Sequence, residues 1–157
     1  MIPKTIEELN RIRQDCLSMV NRKAANSAAV AIIPMPGVDI TADIVILLQL
    51  LTQINRKFGL SPEHIKQFDS ETKAKILFVV SSIGCKLAGK VITKELILKV
   101  LKRIGVKVTV EQAVKLVPLL GQAVSAGISY GTIKFLGHSH IEECYSVCKR
   151  VIDMNQT

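Results

Sequence analysis

The sequence predicts an all-α protein, a compact bundle of about five to six helices built around two apolar hairpins that proline and glycine break. Two observations support this fold class. Apolar residues recur at helical spacing along most of the chain, and prolines or glycines separate the periodic stretches. The 157 residues are 48% hydrophobic but only 4% aromatic, so aliphatic side chains supply enough apolar volume for one domain.

The chain begins with an amphipathic lead-in helix over residues 1–22, where Thr5 and Glu8 have the spacing of a capping box. Residues 23–59 are predicted to form the first hairpin, whose first arm is uncharged from Ala24 to Val38. Asp39 is predicted to cap the returning helix. The hairpin tip, which is the predicted membrane contact, consists of Ile32, Ile33, Pro34, Met35, Pro36, Gly37 and Val38.

The run Ser61-Pro62-Glu63 predicts the start of a short helix, because it offers a cap, a proline at the first helical position and an acid in the first turn. A basic helix is predicted over residues 70–104. Gly84 and Gly89 lie inside that range, where they are expected to bend the helix or to admit a neighbour.

Residues 109–137 are predicted to form the second hairpin, with Pro118 and Gly121 as its hairpin-forming and membrane-contact positions. The stretch 116–133 within it holds no charged residue. A separate C-terminal helix is predicted over residues 138–157.

The formal net charge of +8 is compatible with nucleic acid, an anionic membrane or an acidic protein as partner. Nucleic acid is not expected, because the aromatic rings are scattered and no helix-turn-helix or zinc-finger spacing occurs. Most of the positive excess lies between residues 86 and 115, where helical spacing predicts a basic ridge. The predicted contacts with an anionic surface are Lys86, Lys90, Lys94, Lys102 and Arg103.

Four cysteines are too few for a disulfide scaffold in a chain of this length. The polar start MIPKTIEEL is not expected to be a signal peptide, and the predicted setting is cytoplasmic and membrane-associated. His140, Cys144 and Cys148 are weak candidates for a zinc site at i, i+4 and i+8, and structural thiols are the favoured interpretation. We expect no metal and no cofactor.

No catalytic residue is predicted, because the phosphate-binding loop, the nucleophile elbow and the zinc-protease motif are all missing from the sequence. Asp39 and Asp43 lie one turn apart and are interpreted as groups that favour a helix N-terminus. We therefore expect a protein that is not an enzyme.

The alanine-rich run from Lys23 to Asp39, with its Pro-Met-Pro-Gly turn, resembles the first hairpin of a GTPase-associated helical membrane domain family, domain of unknown function 697. The run from Lys115 to Gly137 resembles the second hairpin, and the helical parts of immunity-related GTPases are distantly similar. The resemblance implies a membrane-associated helical module that either stands alone or acts with a GTPase on another chain. It carries over as hairpin-forming positions only Pro36, Gly37, Asp39, Pro118 and Gly121.

Two functions remain open from the sequence. The first is a non-enzymatic, membrane-associating helical module, which binds an anionic membrane surface or a helical protein such as a GTPase. The alternative is a soluble interaction or self-assembly domain, with the same apolar helices buried in its core. A homo-oligomer is compatible with either function.

Overall fold

A computed structural model describes residues 1–31, 40–104 and 121–156. These ranges hold six helices and no strand, which confirms the all-α prediction. The predicted turn at 32–38, the cap Asp39 and Pro118 lie outside the described residues. The helices are α1 (Ile6–Ala31), α2 (Ile40–Lys57), α3 (Pro62–Gln67), α4 (Ser70–Ile83), α5 (Lys94–Arg103) and α6 (Gly121–Gln156).

Helices α1 and α6 run antiparallel at the centre of the bundle. Near one end of their contact, the Tyr145 hydroxyl donates a hydrogen bond to Asn10 Oδ1 over 2.9 Å. One turn further along, Arg13 Nη2 lies 2.6 Å from Glu142 Oε1. Residue numbers rise along α1 while those of their partners in α6 fall, so the C-terminal end of α1 lies beside the N-terminal part of α6.

Helix α2 runs parallel to α6 and completes the central layer. The Cys144 thiol donates to Asn55 Oδ1 over 3.5 Å, and the Cys148 thiol donates to the Phe58 carbonyl over the same distance. The core between these helices is aliphatic, with Leu50 and Ile54 fully buried. Helix α4 packs against α6, and α5 packs against α2.

Helix α1 starts where the capping box predicts. Thr5 Oγ1 accepts a hydrogen bond from the Glu8 amide, and the Glu8 carboxylate accepts one from the Lys4 amide. Helix α1 continues past residue 22 to Ala31 without a break, so the predicted lead-in helix over 1–22 and the first arm of the predicted hairpin belong to one helix.

The end of α2 and the short α3 also follow their sequence signals. Gly59 adopts a φ of 70°, and the Leu60 amide donates to the Asn55 carbonyl in the bonding pattern of a Schellman cap. The Ser61 side chain then accepts from the His64 amide and begins α3, with Pro62 as its first residue.

The predicted single basic helix over 70–104 is wrong. Gly84 adopts a left-handed φ of 71° and ends α4, since its amide and that of Cys85 donate to carbonyls in the last turn. The next helix, α5, begins after Thr93, whose side chain accepts a hydrogen bond from the Leu96 amide and caps the helix. A loop over residues 84–93 therefore separates the two helices.

The predicted boundary between a second hairpin ending at residue 137 and a helix over 138–157 is also wrong, because α6 runs unbroken through Gly137. Gly137 lies inside a continuous helix, and its missing side chain makes room for a neighbouring helix instead of a turn. A Cβ atom at this position would lie 2.7 Å from both γ-carbons of Val20. Gly137 thus lets α1 approach α6 closely.

We predict that Gly137→Ala lowers the free energy of unfolding by about 1–2 kcal/mol, because the added methyl overpacks against the stiff side chain of Val20. Gly131→Ala in the same helix is the matched control, since nothing lies within 4 Å of its added Cβ. That control should raise stability by about 0.5–1 kcal/mol. Urea unfolding followed by circular dichroism measures both changes.

Val20→Ala in the Gly137→Ala background should recover part of the loss, because it removes the γ-carbons that meet the new methyl group. Equal stability of Gly137→Ala and Gly131→Ala would show that α1 and α6 do not meet at this point.

Candidate functional site

A buried polar cluster lies where α2, α6 and the 84–93 loop meet. His140 and Cys144 of α6 and Asn55 of α2 are each at most 1% exposed. Buried polar groups cost stability unless they are hydrogen-bonded, so the partners of these side chains decide what the cluster does.

Asn55 ties three parts of the fold together. Its amide nitrogen donates to the carbonyls of Leu87 and Lys90, over 3.3 and 3.2 Å, while its amide oxygen accepts from the Cys144 thiol. The loop is thereby held against the core, and its side chains Leu87 and Ala88 are buried.

Glu143 holds the same loop from the other side. One oxygen of its carboxylate accepts from the amides of Lys86 and Leu87, each over 3.2 Å. The same oxygen lies 3.9 Å from His140 Nδ1. Burial raises the pKa of this carboxyl, but the imidazole of His140 and the two amides outweigh it, so the pKa of Glu143 lies below its usual value.

The four cysteines are buried free thiols. Burial raises the pKa of Cys16 to about 11, and it raises the pKa of Cys144 well above the usual value for a thiol. Burial also raises the pKa values of Cys85 and Cys148. Because the thiolate is the reactive form, these groups are not activated nucleophiles near neutral pH.

The weak zinc candidates do not converge on one point. The Cys144 sulfur lies 3.8–3.9 Å from the ring nitrogens of His140, whereas the Cys148 thiol donates to the Phe58 carbonyl. In the part of the chain that the structure describes, no group of three or more His, Cys, Asp or Glu side chains could hold a metal ion. The observed contacts are those of structural thiols.

The predicted basic ridge does not exist as one helix face. Lys86 and Lys90 lie in the loop, and Lys94 is the first residue of α5. Lys102 and Arg103 lie in the last turn of α5. All five side chains are exposed, but they are divided between a loop and a separate helix, because Gly84 ends α4.

A second feature emerges from the packing of α1 on α6. Lys23 is the last charged residue of α1, and Lys134 is the first charged residue of α6. Val20, three residues before Lys23, packs on Gly137, which lies three residues after Lys134. Because the two helices are antiparallel, both become uncharged at the same level. The sequence holds both uncharged stretches, but only the register of the two helices aligns them.

We call the helical residues 24–31, 40–44 and 121–133 the charge-poor end. Helix α6 extends about 20 Å from Lys134 to its first residue, and α1 extends about 12 Å beyond Lys23, at 1.5 Å per residue. The N-terminus of α2 lies at the same end, because α2 is parallel to α6. Asp43 is the single charged residue among these positions.

A helix that crosses a bilayer needs about 20 predominantly apolar residues. Within the described ranges 1–31, 40–104 and 121–156, no helix is both long enough and apolar enough to cross a membrane.

Comparisons with known proteins are negative. No protein-family model matches the chain, and neither curated proteins nor solved structures show a significant match to it. The resemblance to the GTPase-associated family stays a prediction from the two hairpin motifs.

We predict that Glu143→Gln lowers stability by about 1–2 kcal/mol at neutral pH, because the two loop amides lose a charged acceptor. A carboxyl whose pKa is lowered in the folded state stabilises the fold above its unfolded pKa, here 4.5. That contribution is lost as the pH falls through the folded value. The difference between the two proteins should therefore shrink in acid, which urea unfolding at a series of pH values measures. Parallel loss of stability in both proteins would contradict this role of Glu143.

Proposed function

We propose that this chain is a non-enzymatic helical module that associates with membranes through its charge-poor end. The observation that carries the proposal is the alignment of the uncharged parts of α1 and α6, which begin at the same level beyond Val20 and Gly137. In this mode of binding, the predicted hairpin tips enter the lipid together with the uncharged parts of α1 and α6.

The contrast within one helix supports this interpretation. Charged residues recur in α1 between Glu7 and Lys23 and then stop, although the helix continues to Ala31. In α6, Lys134 and the residues after it include both acids and bases, whereas residues 121–133 include none. A helix end in water usually carries charged side chains that complement its dipole, so the uncharged ends of α1 and α6 are better suited to an apolar medium.

The proposed mode of association is shallow. The uncharged helix ends can reach into the headgroup and upper acyl region of one leaflet, where apolar surface gains free energy by leaving water. This mode does not require a spanning helix.

Protein–protein interaction is a second candidate function, because α4 exposes two adjacent apolar side chains. Leu77 is 56% exposed and Phe78 is 64% exposed. They lie far from the charge-poor end, since Lys75 Nζ donates to Asn155 Oδ1 at the C-terminal end of α6 over 3.0 Å. A helical partner, such as a GTPase or a second copy of this chain, could cover this patch.

Flotation with lipid vesicles tests the membrane proposal. We expect the protein to float with vesicles that contain phosphatidylserine, and Ile32→Asp/Ile33→Asp should weaken binding by roughly 10-fold or more, because carboxylates are costly to bury in lipid. The matched control is Leu77→Asp/Phe78→Asp, which adds the same charge at exposed positions of α4, far from the charge-poor end, and should bind vesicles normally.

Failure of the unsubstituted protein to float would refute the membrane proposal. If only the Leu77→Asp/Phe78→Asp protein lost binding, the exposed patch on α4 would be the lipid contact instead. Conversion of an oligomer to a monomer by that double substitution, measured by light scattering, would support the second candidate function.

A further inference from the structure

Three cationic residues lie at the level where the charge-poor end begins. Arg22 and Lys23 lie in α1, and Lys134 lies opposite them in α6, because Val20 packs on Gly137. Arg22 is exposed, whereas Lys23 and Lys134 are partly exposed. We refer to these three residues as the basic collar.

The two helices that carry the collar, α1 and α6, have no acidic residue near it. Helix α1 has no acidic residue after Asp15, and α6 has none before Glu142. Asp15 lies about two turns before Arg22, and Glu142 lies about two turns after Lys134. The collar is therefore a zone of one sign on both helices, and the nearest acid on the third central helix is Asp43 in α2.

An aromatic side chain stands beside the collar. Lys134 Nζ lies 5.6 Å from the centroid of the Tyr130 ring and 3.5 Å from its hydroxyl oxygen. Tyr130 is 36% exposed and lies one turn closer to the N-terminus of α6. Tyrosine next to a cation is the combination that occurs at the level of lipid headgroups, because its ring is apolar and its hydroxyl is polar.

We propose that the basic collar binds the phosphate and carboxylate groups of anionic phospholipids, with Tyr130 at headgroup level. This inference rests on the proposed function, and it replaces the basic ridge predicted from the sequence as the anionic-lipid contact. The collar lies where the charged part of the molecule meets its uncharged part. A cation at that level can remain in the polar headgroup layer while the residues beyond it enter the apolar region.

A duplex nucleic acid is a poorer occupant for this surface. Binding to duplex DNA needs basic groups distributed along several phosphates. The collar residues instead lie at a single level along the helix axes, and the parts of α1 and α6 beyond that level carry no charge. The geometry thus favours a flat anionic surface that continues into an apolar layer.

Charge reversal tests the collar. Arg22→Glu/Lys23→Glu/Lys134→Glu should weaken binding to phosphatidylcholine–phosphatidylserine vesicles by roughly 100-fold or more, at about a factor of five per cation lost near the surface. The matched control is Lys66→Glu/Lys149→Glu/Arg150→Glu, which changes the net charge by the same amount at exposed positions of α3 and of the C-terminal part of α6. The control should bind within a few-fold of the unsubstituted protein, and circular dichroism should confirm that both variants fold.

The outcomes separate this inference from the proposed function. If the unsubstituted protein binds neither neutral nor anionic vesicles, both are refuted. If it binds anionic vesicles and the collar variant and the control variant lose affinity by the same factor, binding depends on the net charge of the protein. That result refutes the collar alone. The collar is also refuted if its variant binds as well as the unsubstituted protein does.

The depth of Tyr130 gives a second readout. The chain contains no tryptophan, so Tyr130→Trp places a single indole beside the collar. With anionic vesicles, we expect its emission to shift to shorter wavelength and to be quenched more by a label near the glycerol level than by one near the end of the acyl chains. An unshifted emission, or stronger quenching by the deep label, would overturn the placement of Tyr130 at headgroup level.

Discussion

The contact between Val20 and the bare Cα of Gly137 determines the register of the central helices. A Cβ atom at Gly137 would lie 2.7 Å from both γ-carbons of Val20, so the Val20 side chain packs directly against the backbone of Gly137. The ion pair between Arg13 and Glu142 extends the same register toward the other end. This register, together with the hydrogen bonds from Cys144 to Asn55 and from Cys148 to the Phe58 carbonyl, decides which levels of all three helices coincide. The core, the buried polar cluster and the charge-poor end all depend on it.

The 84–93 loop belongs to the core although it has no regular structure. Asn55 donates to two of its carbonyls, and Glu143 accepts from two of its amides. These bonds satisfy backbone groups that burial would otherwise leave unpaired. The cluster is thus a structural brace between α2 and α6, and its raised thiol pKa values are the result of burial. The residue types that suggested metal binding in the sequence are used for this brace.

The molecule has two unlike ends. At one end, α1 and α6 lose their charges together beyond Lys23 and Lys134. At the other end, α4 exposes Leu77 and Phe78 beside a normally charged surface. The proposed membrane function uses the first end and leaves the second free for a protein partner, so one module could join a lipid surface to a helical protein.

The local sequence was enough to predict the all-α class and the helix boundaries at Thr5, Gly59 and Ser61, because caps depend only on residues within one or two turns. It did not separate α4 from α5, since apolar periodicity continues past Gly84 and an internal glycine resembles a left-handed cap. The packing of α1 on α6 was needed to show that Gly137 is a packing site and that the uncharged stretches of both helices begin at one level. The register between helices distant in sequence depends on side-chain packing, which no local pattern encodes.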